Sequence, residues 1–218
     1  TALMAMADIG ALDRPTAGAK MLLVPIDVDL AEISAGGVLE PHAEWTDNAK
    51  RHMLDALEKQ ALARSISFVK LGEPQEGMAE ADLFAQLEAL HGVVGRSIMV
   101  HEYEDRAELP NKRGRFDWSL GTSAARLGEA YGTEYALFIL VRDSYTSTGR
   151  AGAMILAAAL LRVPMLGGSQ IGFASLVDLK TGNIVWFNRL SRPTGDLRTA
   201  TPAEETVRAL LSEVPRWT

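Results

Sequence analysis

The sequence contains no cysteine, and this absence removes several kinds of chemistry at once. Disulfide bonds, thiolate metal sites and cysteine nucleophiles are all excluded. The compartment stays open, because exported proteins can also lack cysteine. Metal sites built from other ligands have no signature either, since the histidines form neither an H-E-x-x-H motif nor a close pair (His42, His52, His91 and His101). We therefore predict no metal and no cofactor.

Positive charge and long apolar runs are also scarce. Lys and Arg number 22 against 28 Asp and Glu, which gives a formal charge of −6 and a pI near 5.3. A nucleic-acid-binding protein needs a basic surface that neutralises phosphates, so we expect no nucleic-acid partner. No apolar run reaches the roughly 20 residues that a membrane-spanning helix needs. Hydrophobic residues still make up 47% of the chain, enough to bury one sizeable core.

The first residues differ in composition from the rest of the chain. Residues 1–19 are small and weakly apolar, and Asp8, Asp13 and Arg14 interrupt them. We predict that they form an N-terminal arm, either flexible or laid on the domain surface. Residues 20–218 contain no convincing repeat and no low-complexity linker, so we predict a single α/β domain there.

Hydrophobic periodicity predicts a regular alternation of strands and helices. Predicted strands cover 21–30, 65–71 and 134–142, and predicted helices cover 46–64, 79–94, 118–131 and 150–162. A hairpin over 170–190 and a final helix from about 199 follow. The stretch 95–103 is ambiguous between helix and strand, and 104–115 is predicted to be a surface loop. The fold class is α/β, three-layer-like, with a mixed sheet, a C-terminal β-hairpin and a final helix.

Single residues sharpen several of these predictions. Pro25 lacks an N–H, which indicates an edge position or a bulge in the first strand. Thr46 is a plausible N-cap, and Gly132 is a natural helix stop. The first helix is expected to bury Ala49, Met53, Ala56, Leu57 and Leu62, and the final helix Val207, Leu210 and Leu211.

The hairpin has a recognisable turn, Asp-Leu-Lys-Thr-Gly over 178–182. Asp178 can accept hydrogen bonds from the turn's free N–H groups, and Gly182 can adopt a positive φ. Strict alternation after the turn predicts that Ile184 and Trp186 share one face, with Val185 and Phe187 on the other.

Two segments carry a resemblance to a known family. They are YGTEYALFIL over 131–140 and the hairpin with LVDLKTG over 176–182, followed by Val185 and Trp186. They resemble bacterial envelope lipoproteins related to the curli-secretion lipoprotein and the penicillin-binding-protein activator lipoproteins. That family has a helix, a Gly-Ala-Asp-Tyr-like turn and a strand, then a hairpin tip reading Asp-x-Lys-Thr-Gly. Here Thr133 and Glu134 replace the usual small residue and Asp. The motif-level match covers 118–190.

The resemblance implies a non-enzymatic periplasmic binding or assembly module that acts through protein–protein contacts. It implies an outer-membrane anchor on a lipidated cysteine just before Thr1, with 1–19 as the tether and no other membrane contact. The nearly all-apolar helix predicted over 150–162 and the two-faced hairpin indicate self-association. We therefore expect a homo-oligomer, a dimer or a ring, or an envelope protein partner.

One polar segment is a candidate ligand site, because it follows the central strand and opens a helix whose free N–H groups can hold an anion. Its candidate ligand-binding residues are Arg142, Asp143, Ser144, Ser147, Thr148 and Arg150. The alternative is purely structural, with Ser147 or Thr148 capping the helix and Arg142 and Asp143 forming a surface pair.

An enzyme is the alternative to a binding module. A small-molecule-binding α/β enzyme would place its site at the carboxyl ends of the strands, using Asp27, Asp29 and the 142–150 segment. A serine hydrolase needs G-x-S-x-G followed by a helix, whereas GGSQIG over 167–172 has the wrong spacing and leads into a strand. Phosphate-binding glycine motifs are absent from the sequence. We predict no catalytic residues.

Overall fold

The strands and helices of the computed structural model follow the expected alternation. The structure describes residues 20–64, 66–72, 79–103, 109–112, 115–147, 149, 168–193 and 195–215. In chain order the elements are β1 (Lys20–Leu23), β2 (Asp27–Ile33), β3 (Leu39–Pro41), α1 (Ala43–Ala63), β4 (Ser67–Lys70), α2 (Ala79–Tyr103), a 3-10 turn (Thr122–Ala124), α3 (Ala125–Tyr131), β5 (Tyr135–Thr146), β6 (Ser169–Asp178), β7 (Ile184–Arg192) and α4 (Ala200–Leu210).

The strands form one mixed sheet around β5. Strands β1 and β2 lie end to end along one edge of β5, both parallel to it, and β6 runs antiparallel along the other edge. Strand β4 flanks β1 in parallel, while β3 flanks β2 and β7 flanks β6, both antiparallel. The predicted central position of the 134–142 strand is therefore confirmed.

The predicted first strand is two strands joined by a bulge at Pro25. The chain takes four steps from Leu23 to Asp27 while β5 takes three from Leu137 to Leu140, so one residue is extra. Proline cannot donate a ladder hydrogen bond, and a bulge removes the need for one.

Helices cover both faces of the sheet, which gives the three layers expected from the sequence. Alternate residues of β5 divide between two cores. Leu137, Ile139 and Val141 pack with α1 and α4, whereas Ala136, Phe138 and Leu140 pack with α2 and α3. We call these faces the α1 side and the α2 side. A strand buried on both faces reads as a continuous apolar run, and YALFILV is such a run.

Helix α1 starts earlier than predicted and buries a different last residue. It begins at Ala43, and the Thr46 hydroxyl accepts a hydrogen bond from the backbone N–H of Leu30 (3.0 Å) instead of capping the helix. Ala61 is buried, while Leu62 is 82% exposed. The buried face of α1 passes through positions 53 and 57, and the next position on that face is 61. Position 62 is rotated about 100° away from it.

Helix α2 resolves the ambiguous stretch 95–103 as helix. It continues to Tyr103 and buries Ile98 on the same face as Leu87. Gly95 allows the helix to pack directly on the Phe173 ring, since an added Cβ would lie 2.1 Å from that ring. Packing against the sheet therefore extends the helix beyond the predicted end.

The predicted helix over 118–131 is shorter than expected. Ser119 forms an antiparallel bridge with Asn183, and the N–H of Leu120 donates to the carbonyl of Gly182 (2.8 Å). This pairing holds 118–120 extended, so α3 begins only at Ala125. Gly132, with φ 62°, ends the helix as predicted.

The hairpin turn forms as expected. The Asp178 carboxylate accepts hydrogen bonds from the Lys180 N–H (2.8 Å) and the Thr181 hydroxyl (2.7 Å). Gly182 has φ 75°. Helix α4 also follows the prediction, with Thr199 at its N-cap and Val207, Leu210 and Leu211 buried.

The predicted faces of β7 are wrong at the start of the strand. A bulge pairs Val177 with Ile184 and Leu176 with Trp186, so the strict alternation is broken between these pairs. Ile184 packs with Phe187 on the α2 side, and Trp186 packs on the α1 side. A bulge reverses the facing of every residue beyond it.

Some predicted segments lie outside the described residues. These are the N-terminal arm 1–19, the predicted helix 150–162 and most of the loop 104–115, of which 109–112 and 115 are described.

Candidate functional site

The structure places the predicted ligand residues on a strand and not in a loop. Strand β5 continues through Thr146, so Arg142, Asp143 and Ser144 are strand residues. The polar composition of this segment favours a loop. Backbone hydrogen bonds to β2 on one edge and β6 on the other nevertheless hold it in a strand. Ser147 follows directly, and its N–H donates to the carbonyl of Ile33 (3.0 Å). Thr148 and Arg150 lie outside the described residues.

Strand alternation sends the predicted residues to opposite faces. Arg142 lies on the α2 side, where its Nη1 is 2.7 Å from Asp27 Oδ1 and its Nε is 3.2 Å from Asp29 Oδ2. Ser144, on the same face, donates its hydroxyl to the carbonyl of Ser169 (3.2 Å). An anion would have to compete with both carboxylates for Arg142. Ligand binding by this segment stays a prediction.

Asp143 lies on the α1 side and forms the centre of a buried polar network. Its side chain is 3% exposed. Oδ2 accepts hydrogen bonds from the Tyr145 hydroxyl, from Gln170 Nε2 (2.8 Å) and from the Leu197 N–H (3.3 Å). Burial raises the pKa of Asp143, and the hydrogen bonds from Tyr145 and Gln170 oppose that rise.

The network continues from Gln170 to the last helix. Gln170 Oε1 accepts hydrogen bonds from Arg192 Nε (2.7 Å) and the Thr206 hydroxyl (3.0 Å). Arg192 also donates to the Thr206 hydroxyl. Three strands and α4 are therefore joined by side chains whose partners lie inside the fold, which is how buried polar groups escape the cost of desolvation.

Aromatic rings and one cation cover the outer end of this network. The Arg198 guanidinium lies 4.0 Å from the Tyr145 ring centre and 4.9 Å from that of Trp45. His42 stacks on Trp45 at 3.8 Å. The Asp196 carboxylate binds Arg198 (2.8 Å), and this hydrogen bond lowers the pKa of Asp196. These contacts fasten the start of α1 to the end of β5.

A buried His–Ser pair lies on the α2 side and was missed from the sequence. The ring Nε2 of His91 is 2.9 Å from the Ser175 hydroxyl oxygen, and the ring lies between Phe138 and Phe173. Burial lowers the pKa of His91 to about 3. The sequence did offer one indication that His91 is buried. It follows Leu87 by four residues, which places both side chains on the inward face of α2.

A histidine paired with a serine is also found in hydrolase active sites, but here substrate cannot reach the serine. Nucleophilic catalysis requires that substrate reach the serine hydroxyl. Ser175 is 0% and His91 1% exposed. The pair therefore satisfies two polar groups inside the core and does not face a pocket.

The solvent face of α2 carries exposed apolar residues and little charge. Leu90 is 38% exposed, Val93 59% and Val100 39%, and the partly buried Ser97 completes a 3-4-3 spacing. We call these four residues the α2 surface. Ile171 of β6, 43% exposed, lies on the same side of the sheet. Exposed apolar groups clustered in this way mark contact sites more often than scattered ones do.

The solvent face of α1 provides the contrast. Its exposed residues include Arg51, Asp55 and Lys59 at successive four-residue steps. Between positions 85 and 100 of α2, Arg96 is the one exposed residue that carries a charge. Of these two helices, α2 presents the more apolar face to solvent.

The described part of the chain has neither a membrane-spanning helix nor a cluster of metal ligands. None of its helices is both long and apolar enough to cross a membrane. Within the same residues, no group of three or more His, Asp or Glu side chains is placed to hold a metal ion.

Comparisons with known proteins find likeness in structure alone. No protein-family model matches the chain, and no curated protein matches it. A PelC dodecamer from Paraburkholderia phytofirmans is similar with a TM-score of 0.40 and 12% identity, over 93% of this chain and 94% of that one.

Two other solved structures show weaker likeness. The LpoB C-terminal domain from Salmonella enterica has a TM-score of 0.30 and 15% identity, over 84% of this chain and 86% of that one. A lipoprotein from Neisseria meningitidis has a TM-score of 0.32 and 15% identity, over 79% and 81%. At such scores and identities these neighbours carry no argument about function.

Proposed function

We propose that this chain is a binding or assembly module of the bacterial cell envelope that acts through protein–protein contacts and catalyses no reaction. The observation that carries the proposal is the α2 surface, an exposed apolar stripe on a helix whose other face is core. The partner we propose is a second copy of the chain, which gives a homodimer or a larger homo-oligomer built from the same contact.

The positions of the stripe favour a self-complementary contact. Two α2 helices that face each other across a two-fold axis, level with position 95 and perpendicular to the helices, run antiparallel. Leu90 of one copy then lies opposite Val100 of the other, and Val93 lies opposite Ser97, because both pairs are centred on position 95. The 3-4-3 spacing is that of helices packed along a narrow seam, and the stripe is about 15 Å long. A small Ser97 opposite Val93 allows close approach.

The polar groups support a non-catalytic role. Arg142 is held by two carboxylates, Asp143 lies inside a hydrogen-bonded network, and the His91–Ser175 pair is sealed in the core. Arg142, the His91–Ser175 pair and Oδ2 of Asp143 therefore have partners in the fold, while Oδ1 of Asp143 is buried without one.

The envelope assignment rests on the sequence resemblance over 118–190. We propose on this basis a periplasmic module anchored to the outer membrane by a lipidated cysteine before Thr1, with residues 1–19 as the tether. The coding sequence upstream of Thr1 tests this. A signal peptide that ends in a lipobox cysteine supports the anchor, whereas an initiator Met directly before Thr1 refutes it.

Val93→Glu tests the contact. A carboxylate placed in the middle of an apolar seam must lose its hydration on association. We expect the wild type to associate in the micromolar to millimolar range and the variant to raise the dissociation constant at least about tenfold. Light scattering coupled to gel filtration, over a concentration series, measures both.

Leu62→Glu is the matched control. Leu62 is an exposed apolar residue of a helix on the opposite side of the sheet, 82% exposed. Its replacement leaves the association unchanged. A wild type that stays monomeric at high concentration, or equal weakening by both variants, contradicts the proposed surface.

A further inference from the structure

A cavity of about 270 Å³ lies where β1 and β4 end side by side. The strands are parallel and their last residues, Leu23 and Lys70, are partners in register. The N–H of Leu71 donates to the carbonyl of Leu23 (2.9 Å), which holds the two chain exits together. The carboxyl end of parallel strands is the position where α/β sheets bind ligands most often. We call this space the β1–β4 cavity.

The walls of the cavity are mainly apolar. Leu23 is the last residue of β1, and Ile26 follows Pro25. Leu54 comes from α1, and Leu71 follows β4. Leu54 and Leu71 are partly exposed, so the bound chain of a ligand would cover apolar surface that water now reaches. Val24 and Pro25, at the bulge, also line the cavity.

The rim of the cavity is cationic in a chain whose net charge is −6. Lys50, Arg51 and Lys70 line it, and no Asp or Glu is among the described residues that do. Lys70 pairs with Glu58, which lies outside the lining. Arg51 donates to the neutral side-chain amide of Asn48, so that contact does not balance its charge. Arg51 is therefore well placed to hold an anion at the mouth of an apolar space.

We propose that the β1–β4 cavity binds a small amphiphilic anion, a carboxylate or phosphate group on a short apolar chain. Arg51, supported by Lys50 and Lys70, holds the anionic group. The chain lies against Leu54 and Leu71. The cavity lies at the ends of β1 and β4 beside α1, and no residue of the α2 surface lines it, so ligand binding and self-association are separate properties of the molecule.

Isothermal titration calorimetry with octanoate, below its micelle concentration, tests the proposal. We expect one saturable site per chain. Octanamide, which has the same shape without the charge, binds at least about tenfold more weakly, since a charge-assisted hydrogen bond is lost. Arg51→Ala weakens octanoate binding about tenfold and leaves octanamide binding nearly unchanged. Arg51→Lys keeps most of the octanoate affinity.

Two further variants separate binding from folding. Leu54→Trp fills the apolar space and removes binding of both compounds. Lys59→Ala is the control, because Lys59 lies two turns further along α1, outside the cavity, and near Glu204 (3.8 Å). This control binds octanoate as the wild type does, and circular dichroism shows that each variant is folded.

The source of the anion is decided by a second measurement with vesicles. Binding to vesicles that contain phosphatidylglycerol, absent with pure phosphatidylcholine and lost in Arg51→Ala, assigns the anion to a membrane lipid. Octanoate binding without vesicle binding assigns it to a free acid. The proposal is overturned if neither octanoate nor the vesicles bind, if octanoate and octanamide bind equally, or if Arg51→Ala binds as tightly as the wild type.

Discussion

At the scale of single residues, His91 shows how burial decides the charge of a group. The imidazole is neutral in the folded chain because burial lowers its pKa to about 3 from the usual 6.5. In the unfolded chain the ring keeps its ordinary pKa. Between pH 6.5 and 3 the unfolded state therefore binds more protons, and stability falls as the pH is lowered through this window.

His91→Gln should remove this acid sensitivity, because glutamine does not titrate and can still hydrogen-bond the Ser175 hydroxyl. Between pH 7 and pH 5 we expect the wild type to lose about 2 kcal/mol more unfolding free energy than the variant loses. Urea unfolding at both pH values measures the difference. The variant is less stable at pH 7, because the packing around the ring is disturbed.

Asp143 also contributes to the pH dependence of the unfolding free energy, and comparing the variant with the wild type removes that contribution. Burial raises the pKa of Asp143, so its effect has the opposite sign, and stability falls as the pH rises above its ordinary value of 3.8. That effect is common to both proteins and cancels. His52→Gln, a change at a partly exposed position of α1, is the control. Equal acid sensitivity of His91→Gln and wild type would refute the buried-imidazole account.

At the scale of elements, the approach of α2 to the sheet depends on one glycine. Gly95 lies against the ring of Phe173, and an added Cβ would be 2.1 Å from it. Gly92 lies on the same helix with room to spare, its nearest contact being Leu140 Cδ1 at 3.5 Å. Both glycines lie within the same helix, but only at position 95 would an added Cβ overlap a neighbouring side chain.

Gly95→Ala and Gly92→Ala should have opposite effects on stability. Alanine favours the helix by up to about 1 kcal/mol at either position. At position 95 the overlap with the ring forces α2 or Phe173 to move, which costs about 3 kcal/mol. We expect Gly95→Ala to destabilise and Gly92→Ala to be neutral or stabilising. Thermal unfolding measures both, and equal melting temperatures would show that α2 is not held at this distance.

At the scale of the whole molecule, the two cores share one sheet. Strand β5 contributes to the α1 side and the α2 side at alternate residues, and β6 and β7 do the same. Loss of either core would expose one face of the strands that support the other. A single domain over 20–218 stays a prediction, and the shared sheet of the described residues is the reason to expect it.

We therefore expect one cooperative unfolding transition. Trp186 is on the α1 side and Trp118 is against the core of the α2 side, so tryptophan fluorescence samples both. Its urea transition should coincide with that of far-ultraviolet circular dichroism, which follows the helices. Two separated transitions would indicate two independently stable units.

How far the sequence predicts this molecule depends on which interactions act locally. The turn at Asp178 and Gly182, the helix stop at Gly132 and the buried run of β5 were predictable, because each depends on a residue's own conformation or on an unbroken pattern. The faces of Ile184 and Trp186 were not, since a bulge in a pair of strands changes the alternation without a mark in the sequence.

The candidate sites divide in the same way. The polar character of 142–147 is visible in the sequence, but pairing with β2 and β6 made Arg142, Asp143 and Ser144 strand residues and sent them to different faces. The α2 surface and the β1–β4 cavity each combine side chains whose exposure depends on neighbours distant in the chain.

By itself, the sequence determined the α/β class, the order of most elements and the absence of thiol chemistry, because composition and periodicity depend only on the residues present. Tertiary structure alone decided that His91 is neutral and bound to Ser175, that Leu62 and Val93 face solvent, and that Arg51 lies at the mouth of an apolar space. Exposure, pKa and convergence are properties of what surrounds a residue, and those surroundings exist only after the chain has folded.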